Sequence, residues 1–215
     1  MPDVVIFLGP SLSPAEARRR LDADYRPPVR RGDLLPLLAD PPRVVGIVDG
    51  VFFQRLAISP KEILRLLEAG TTVVGAASMG ALRAVELGPF GMLGVGRIHE
   101  LYRSGAVTAD DEVAMAFDPE TFAPASEPLA NIRLALADAQ AAGILTSREQ
   151  ARLLLAMRRL HFPERSHRRL LGFAAGLLPA DRRGALEGFL RREEANAKRQ
   201  DALALLEAVR GLPYA

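Results

Sequence analysis

The chain reads as an α/β protein, with an N-terminal parallel-sheet domain followed by an all-helical C-terminal region. Three observations predict this. Short runs rich in Val and Ile alternate with helical stretches through the first half, as strands and crossover helices do in a parallel sheet. A proline-rich stretch from Pro119 to Pro128 ends the alternation. Beyond it the apolar residues recur with helical period throughout. The two domains are therefore placed at 1–122 and 123–215, the second as a partner-binding region.

Val4 to Leu8 is a continuous apolar run, the pattern of a buried parallel strand. Gly9-Pro10-Ser11 ends it in a loop, and Ser13-Pro14 opens a helix with a capping hydroxyl and a proline at the first helical position. Pro27-Pro28 breaks the chain, and a second helix is expected from Gly32-Asp33 to about Ala39. Val44 to Val48 is the next strand, ending at Asp49-Gly50. Ser59-Pro60 caps a helix from Lys61 to Glu68 that Gly70 stops. Thr71 to Val74 is another strand, followed by a helix from Ser78 to about Leu87. Gly88 to Gly96 reads as irregular, Arg97 to Ser104 as helix and Glu112 to Phe117 as a short strand. Helices are then expected over 129–142, 147–160, 166–175 and 179–209, with Thr146 and Glu149 forming a capping box.

Composition narrows the chemistry. The 215 residues contain no cysteine, which removes disulfides, thiolate nucleophiles, persulfide carriage and zinc–thiolate sites. No apolar run approaches the ~20 residues of a membrane span, and no signal peptide is seen before Asp3, so the expectation is a cytoplasmic protein. The net charge is only +2. Arginine is used almost everywhere in place of lysine: the two lysines are Lys61 and Lys198, against 26 arginines. Arginine does not shed its proton in a protein and lysine can, so a retained lysine is either a chance survivor or a group that arginine cannot replace.

The strongest chemical signal is Gly75-Ala76-Ala77-Ser78-Met79-Gly80-Ala81, a run of very small residues between a strand and a helix. It approximates the G-x-S-x-G elbow, with Ala76 and Gly80 two positions either side of the serine, so strand and helix can approach closely. The helix start offers amides, that of Met79 among them, to a developing oxyanion. A second donor is expected from Gly9 or Ser11 if the first strand lies alongside. Ser78 needs a base, and none of His99, His161 or His167 ends an α/β strand. Lys61 starts the helix that leads into the Ser78 strand. In a parallel sheet this brings it, with Asp49, to the same edge as Ser78, giving a Ser–Lys pair. The bland reading of Ser78 is a helix cap, and that of Asp49 a turn cap.

Several runs together resemble the TfuA-like family, over roughly residues 3–118. They are Val5–Leu12, Pro27-Pro28 with Arg31–Leu34, Gly46–Phe52, Lys61–Leu64, Gly75–Leu87, and Gly94-Val95-Gly96 through Tyr102 to Asp110–Val113. The resemblance implies an accessory role in peptide backbone thioamidation beside a YcaO-type ATP-dependent enzyme. It also implies release of sulfide from a thiocarboxylated, ubiquitin-like sulfur-carrier protein, with the peptide substrate met indirectly. A Ser–Lys site, carried onto this chain as Ser78 and Lys61, is implied as well. A cysteine-free protein cannot carry sulfur itself, and hydrolysis of an acyl thiocarboxylate suits a serine, a base and an oxyanion hole. Either Ser78 attacks the thiocarboxylate carbon or it positions a water that does.

Weaker signals have bland counterparts. Asp110-Asp111-Glu112 has the oxygen donors of a magnesium site but reads more simply as a solvated acidic turn, so neither metal nor cofactor is expected. Arg83 and Glu86, three apart on the Ser78 helix, either pair or shape the site. Arg158, Arg159, Arg165, Arg168 and Arg169, with His161 and His167, form a basic cluster, read as a solvated or protein-binding face rather than a nucleic-acid surface. Against the hydrolase stand a non-catalytic adaptor that improves the YcaO enzyme's hold on its peptide, and an unrelated serine esterase. Nucleotide binding at Gly75–Gly80 lacks both G-x-G-x-x-G and the Walker pattern.

Overall fold

The computed structural model describes residues 3–51 and 57–213. Phe52 of the motif Gly46–Phe52 lies outside them. The described chain divides into two compact units, one running to Thr108 and resuming at Lys198, the other spanning Ala109–Ala197. The division thus differs from consecutive domains at 1–122 and 123–215, because the last helix belongs with the sheet.

The first unit is built on five parallel strands: β1 (Val4–Phe7), β2 (Asp24–Arg26), β3 (Val44–Ile47), β4 (Thr72–Ala76) and β5 (Leu93–Val95). Their order is β2-β1-β3-β4-β5, a doubly wound order with its switch point between β1 and β3. The α/β class and the parallel sheet stand as expected. The helices of this unit are α1 (Pro14–Arg18), α2 (Pro60–Glu68), α3 (Met79–Leu87), α4 (Arg97–Arg103) and the returning C-terminal helix. Ser13 Oγ accepts the Glu16 amide at 3.2 Å, and Ser59 Oγ accepts the Lys61 amide at 3.3 Å, as the capping residues require.

The returning helix, α9, runs over Ala197–Arg210. Its Ala202, Leu205, Leu206 and Val209 pack into one apolar cluster with Val4, Ile6, Leu8, Val44, Val48, Val74 and Ala76 of the sheet. Gly46 makes this close approach possible: a methyl there would meet Leu205 Cδ2 at 2.9 Å.

The second unit holds α5 (Leu129–Ala141), α6 (Ser147–Arg158), α7 (His167–Ala175) and α8 (Ala180–Leu190); α9 follows them in the chain. Leu129, Ile132, Leu136, Leu153, Met157, Leu170 and Leu186 form its core. The Thr146–Glu149 capping box is present, and Arg182 beside Glu149 holds that carboxyl down at about 2. No helix among the described residues is long and apolar enough to cross a membrane.

Several local expectations are corrected. Residues 112–117 form no strand: Asp110–Glu112 is a 3-10 turn, and only Phe117 bridges Pro124. Leu35–Ala39 is likewise a 3-10 turn rather than an α-helix, since Pro36 removes an amide that a regular helix would use. Gly88–Gly96 contains β5, an edge strand of three residues. β2 is an unforeseen edge strand of the same length.

Candidate active site

The carboxyl ends of β1, β3 and β4 meet at one sheet edge, where a doubly wound fold places its ligands. Each contributes a loop: Gly9-Pro10-Ser11 after β1, Asp49 after β3, and Ser78 after β4. Val48 and Asp49 both donate their amides to Phe7 O, which ties the β3 end to the β1 end.

The Ser78 turn is tight and strained. Ala77 has φ +63°, and the Ser78 amide donates to Ala76 O at 2.7 Å, closing a γ-turn of the rare positive-φ kind. Small residues permit it. A methyl at Gly80 would land on the Ile47 carbonyl, and one at Gly75 on the Gly80 carbonyl, so α3 rests directly on the ends of β3 and β4. The Gly80 amide donates to Val48 O at 3.4 Å.

Ser78 occupies the N-cap position of α3, but its hydroxyl makes no capping hydrogen bond. It accepts instead from Lys198 Nζ at 2.9 Å. Lys198 is the second residue of α9, and its side chain is 2% exposed. Its ammonium nitrogen also lies 3.7 Å from Asp49 Oδ1. Asp49 is 1% exposed and held by three neutral donors: Gly9 N and Ser11 N reach Oδ2 at 3.0 Å each, and Ser11 Oγ reaches Oδ1 at 2.6 Å. The result is a buried line of four side chains, Ser78–Lys198–Asp49–Ser11.

The amine at Ser78 is therefore that of Lys198, not Lys61. Lys61 is exposed on the first turn of α2, lining a shallow cavity of about 410 Å³ with Arg31, Gly32, Leu35, Ser59, Glu62 and Arg65. Gly9 and Ser11 are brought to the site, but both amides are committed to Asp49 rather than aimed at an oxyanion. Asp49 is a fully bonded carboxylate rather than a turn cap. The Met79 amide takes no partner among the described residues and remains the candidate donor for a developing anion. Arg83 donates through Nη1 to both Glu86 oxygens, at 2.8 and 2.7 Å, and through Nε to Ile58 O at 3.2 Å, so the pair ties α3 to the segment before α2.

Asp201, one turn along α9 from Lys198, accepts the Arg97 and Ile98 amides at 2.8 Å each. Burial pushes its carboxyl up to about 6 despite those two donors. Gly96 precedes this contact with φ +96°, and a methyl there would collide with the Asp201 carboxylate.

The acidic run is occupied by arginines: Asp111 pairs with Arg165 at 2.7 Å, and Glu112 with Arg133. Among the described residues no three His, Asp or Glu side chains converge as metal ligands. Arg165 is turned inward and buried, where it also donates to Leu160 O, which removes it from the basic face formed in sequence with Arg158 and Arg159.

The profile of one protein family, described as TfuA-like protein, matches residues 49–166, more than half of the chain. The match extends beyond residue 118 into the helical unit and includes Asp49, Ser78 and Met79. No curated protein matches the chain.

Proposed function

As this chain belongs to the TfuA-like family, which is associated with thioamide formation and with YcaO-type partners, we propose that it is the accessory hydrolase of that process. It releases sulfide from a thiocarboxylated, ubiquitin-like sulfur-carrier protein for a YcaO-type enzyme that modifies the peptide. The observation that carries this reading is the hydrogen bond between Lys198 Nζ and a Ser78 hydroxyl relieved of any capping duty. A serine bonded to an amine at a strained strand-to-helix turn is the arrangement of a nucleophile and its base.

Neutral Lys198 takes the Ser78 proton as Oγ attacks the thiocarboxylate carbon, forming the C–O bond. The Met79 amide faces the charge that builds on the tetrahedral centre. The C–S bond breaks, Lys198 returns the proton to the departing sulfur, and hydrosulfide leaves an acyl-serine. Water, deprotonated by Lys198, then attacks the same carbon. Collapse returns the proton to Ser78 Oγ and frees the carrier as its carboxylate. Ser78 is only 7% exposed, which suits the narrow, extended terminus of a carrier protein.

Purified thiocarboxylated carrier tests the reading through sulfide release. Ser78→Ala and Lys198→Ala should each lose at least about a hundredfold in rate while remaining folded and holding the YcaO partner, whereas Lys61→Ala keeps the wild-type rate. Unchanged release by Ser78→Ala overturns the mechanism. Absence of release by wild type, with partner binding intact, leaves the adaptor.

A further inference from the structure

We infer that Ser11 is a positioning residue that withholds the Asp49 carboxylate from Lys198 and so keeps the lysine able to shed its proton. The inference rests on the Ser78–Lys198 reading and assigns to the β1 loop a task within it. Asp49 Oδ1 faces both Ser11 Oγ, at 2.6 Å, and Lys198 Nζ, at 3.7 Å. The first is a short, charge-assisted hydrogen bond; the second is an electrostatic contact beyond hydrogen-bonding distance. Oδ2 is saturated by the Gly9 and Ser11 amides. The β1 loop thus holds both carboxylate oxygens, the one facing the lysine included, and Lys198 Nζ makes its hydrogen bond to Ser78 Oγ instead.

This arrangement suits a base. Burial and the N-terminal end of α9 both disfavour an ammonium, while the Asp49 charge favours it. If Asp49 closed to a direct hydrogen bond it would fix the proton on Lys198. The two nearest charged groups on the lysine's own helix have partners of their own. Asp201 bonds the Arg97 and Ile98 amides, and Arg199 pairs with Glu16 at 2.5 Å. Against the amine stand Ser78 Oγ at 2.9 Å and Asp49 Oδ1 at 3.7 Å, and Ser11 Oγ is the side-chain donor that holds that same Asp49 oxygen.

Removing the Ser11 hydroxyl frees Oδ1 to move to the ~2.8 Å of a charge-assisted bond. At an effective dielectric of about 20, that closure raises the Lys198 midpoint by about one pH unit.

The chain has two lysines, so protein carrying carbon-13 at lysine Cε gives two resonances, which Lys61→Arg assigns. Titration of wild type, Ser11→Ala and Ser11→Thr reads the Lys198 midpoint without any need for turnover. Ser11→Ala should move it up by about one unit, Ser11→Thr should restore the wild-type value, and Lys61 should not move. An unchanged or lowered midpoint in Ser11→Ala overturns the inference, as does a threonine variant that shifts as far as alanine. Should the alanine variant not fold, Ser11→Cys replaces the hydroxyl with a weak donor of similar size; an upward shift supports the inference and an unmoved midpoint overturns it. A wild type that titrates as described but releases no sulfide would sink the hydrolase and leave the Ser11 assignment standing.

Discussion

The Asp49–Lys198 contact makes a measurable claim on stability, and a double-mutant cycle tests it. The perturbations are Asp49→Asn and Lys198→Met, singly and together. At 3.7 Å and an effective dielectric of about 20, the gross attraction is about 4 kcal/mol. Two features reduce what a cycle will read. The carboxylate keeps its Gly9 and Ser11 donors when the lysine is removed, and the buried lysine can discharge itself when the carboxylate is removed. The expected coupling near pH 6 is therefore about 2 kcal/mol, within the range found for interacting neighbours. Lys198→Met alone should cost about 3 kcal/mol, the lower end for breaking a buried pair. Urea unfolding followed by tyrosine fluorescence is the assay: Tyr25 and Tyr102 both lie in the sheet unit, and residues 109–197 contain no tyrosine. A coupling below about 0.5 kcal/mol near pH 6, the level of simple additivity, would refute the claim that the two charges interact.

Three further outcomes are expected. Gly80→Ala should cost about 3 kcal/mol or more, because a methyl there meets backbone rather than a side chain that can turn away. It should also slow any Ser78 reaction; full stability in urea would contradict the close approach of α3 and β3. For Asp201 the folded value, about 6, lies above the ordinary 3.8, so its stabilisation is complete at low pH and is lost as pH rises through about 6. Wild type should lose up to about 3 kcal/mol between about pH 4 and pH 7 from this residue, and Asp201→Asn should flatten that part of the profile; parallel profiles would refute it. In the helical unit, Arg165→Met should cost about 2 kcal/mol, since it removes the donors to the Leu160 and Asp111 carbonyls; a change under about 0.5 kcal/mol by circular dichroism would count against that network.

The parts of the fold that follow from sequence are those whose cause is local. The buried strands β1, β3 and β4 appear as apolar runs, and the caps at Ser13, Ser59 and Thr146 announce their helices. The elbow was legible because only glycine and alanine fit where α3 rests on β3 and β4. Edge strands β2 and β5 were not, since three residues carry no period and their extension depends on a neighbour across the sheet. Glu112 to Phe117 misled for the converse reason. Its alternation resembles a strand, but the Asp111 and Glu112 side chains are drawn onto Arg165 and Arg133 and wind the backbone into a turn.

The amine beside Ser78 was not the one expected, because nearness along the chain stood in for nearness in space. Lys198 follows Ser78 by 120 residues and reaches it only because α9 returns to the sheet. The sequence nevertheless carries a signal for it. Ala202, Leu205, Leu206 and Val209 form an apolar stripe at helical spacing, and Lys198 and Asp201 continue that stripe toward the helix start. A lysine and an aspartate on the buried face of an amphipathic helix need partners inside the fold, because a buried charge without one is too costly to keep. Lys61 has no such constraint: it sits on an exposed first turn where arginine would serve equally well. Of two lysines in an arginine-rich chain, the one on the apolar stripe is the one whose chemistry the fold depends on.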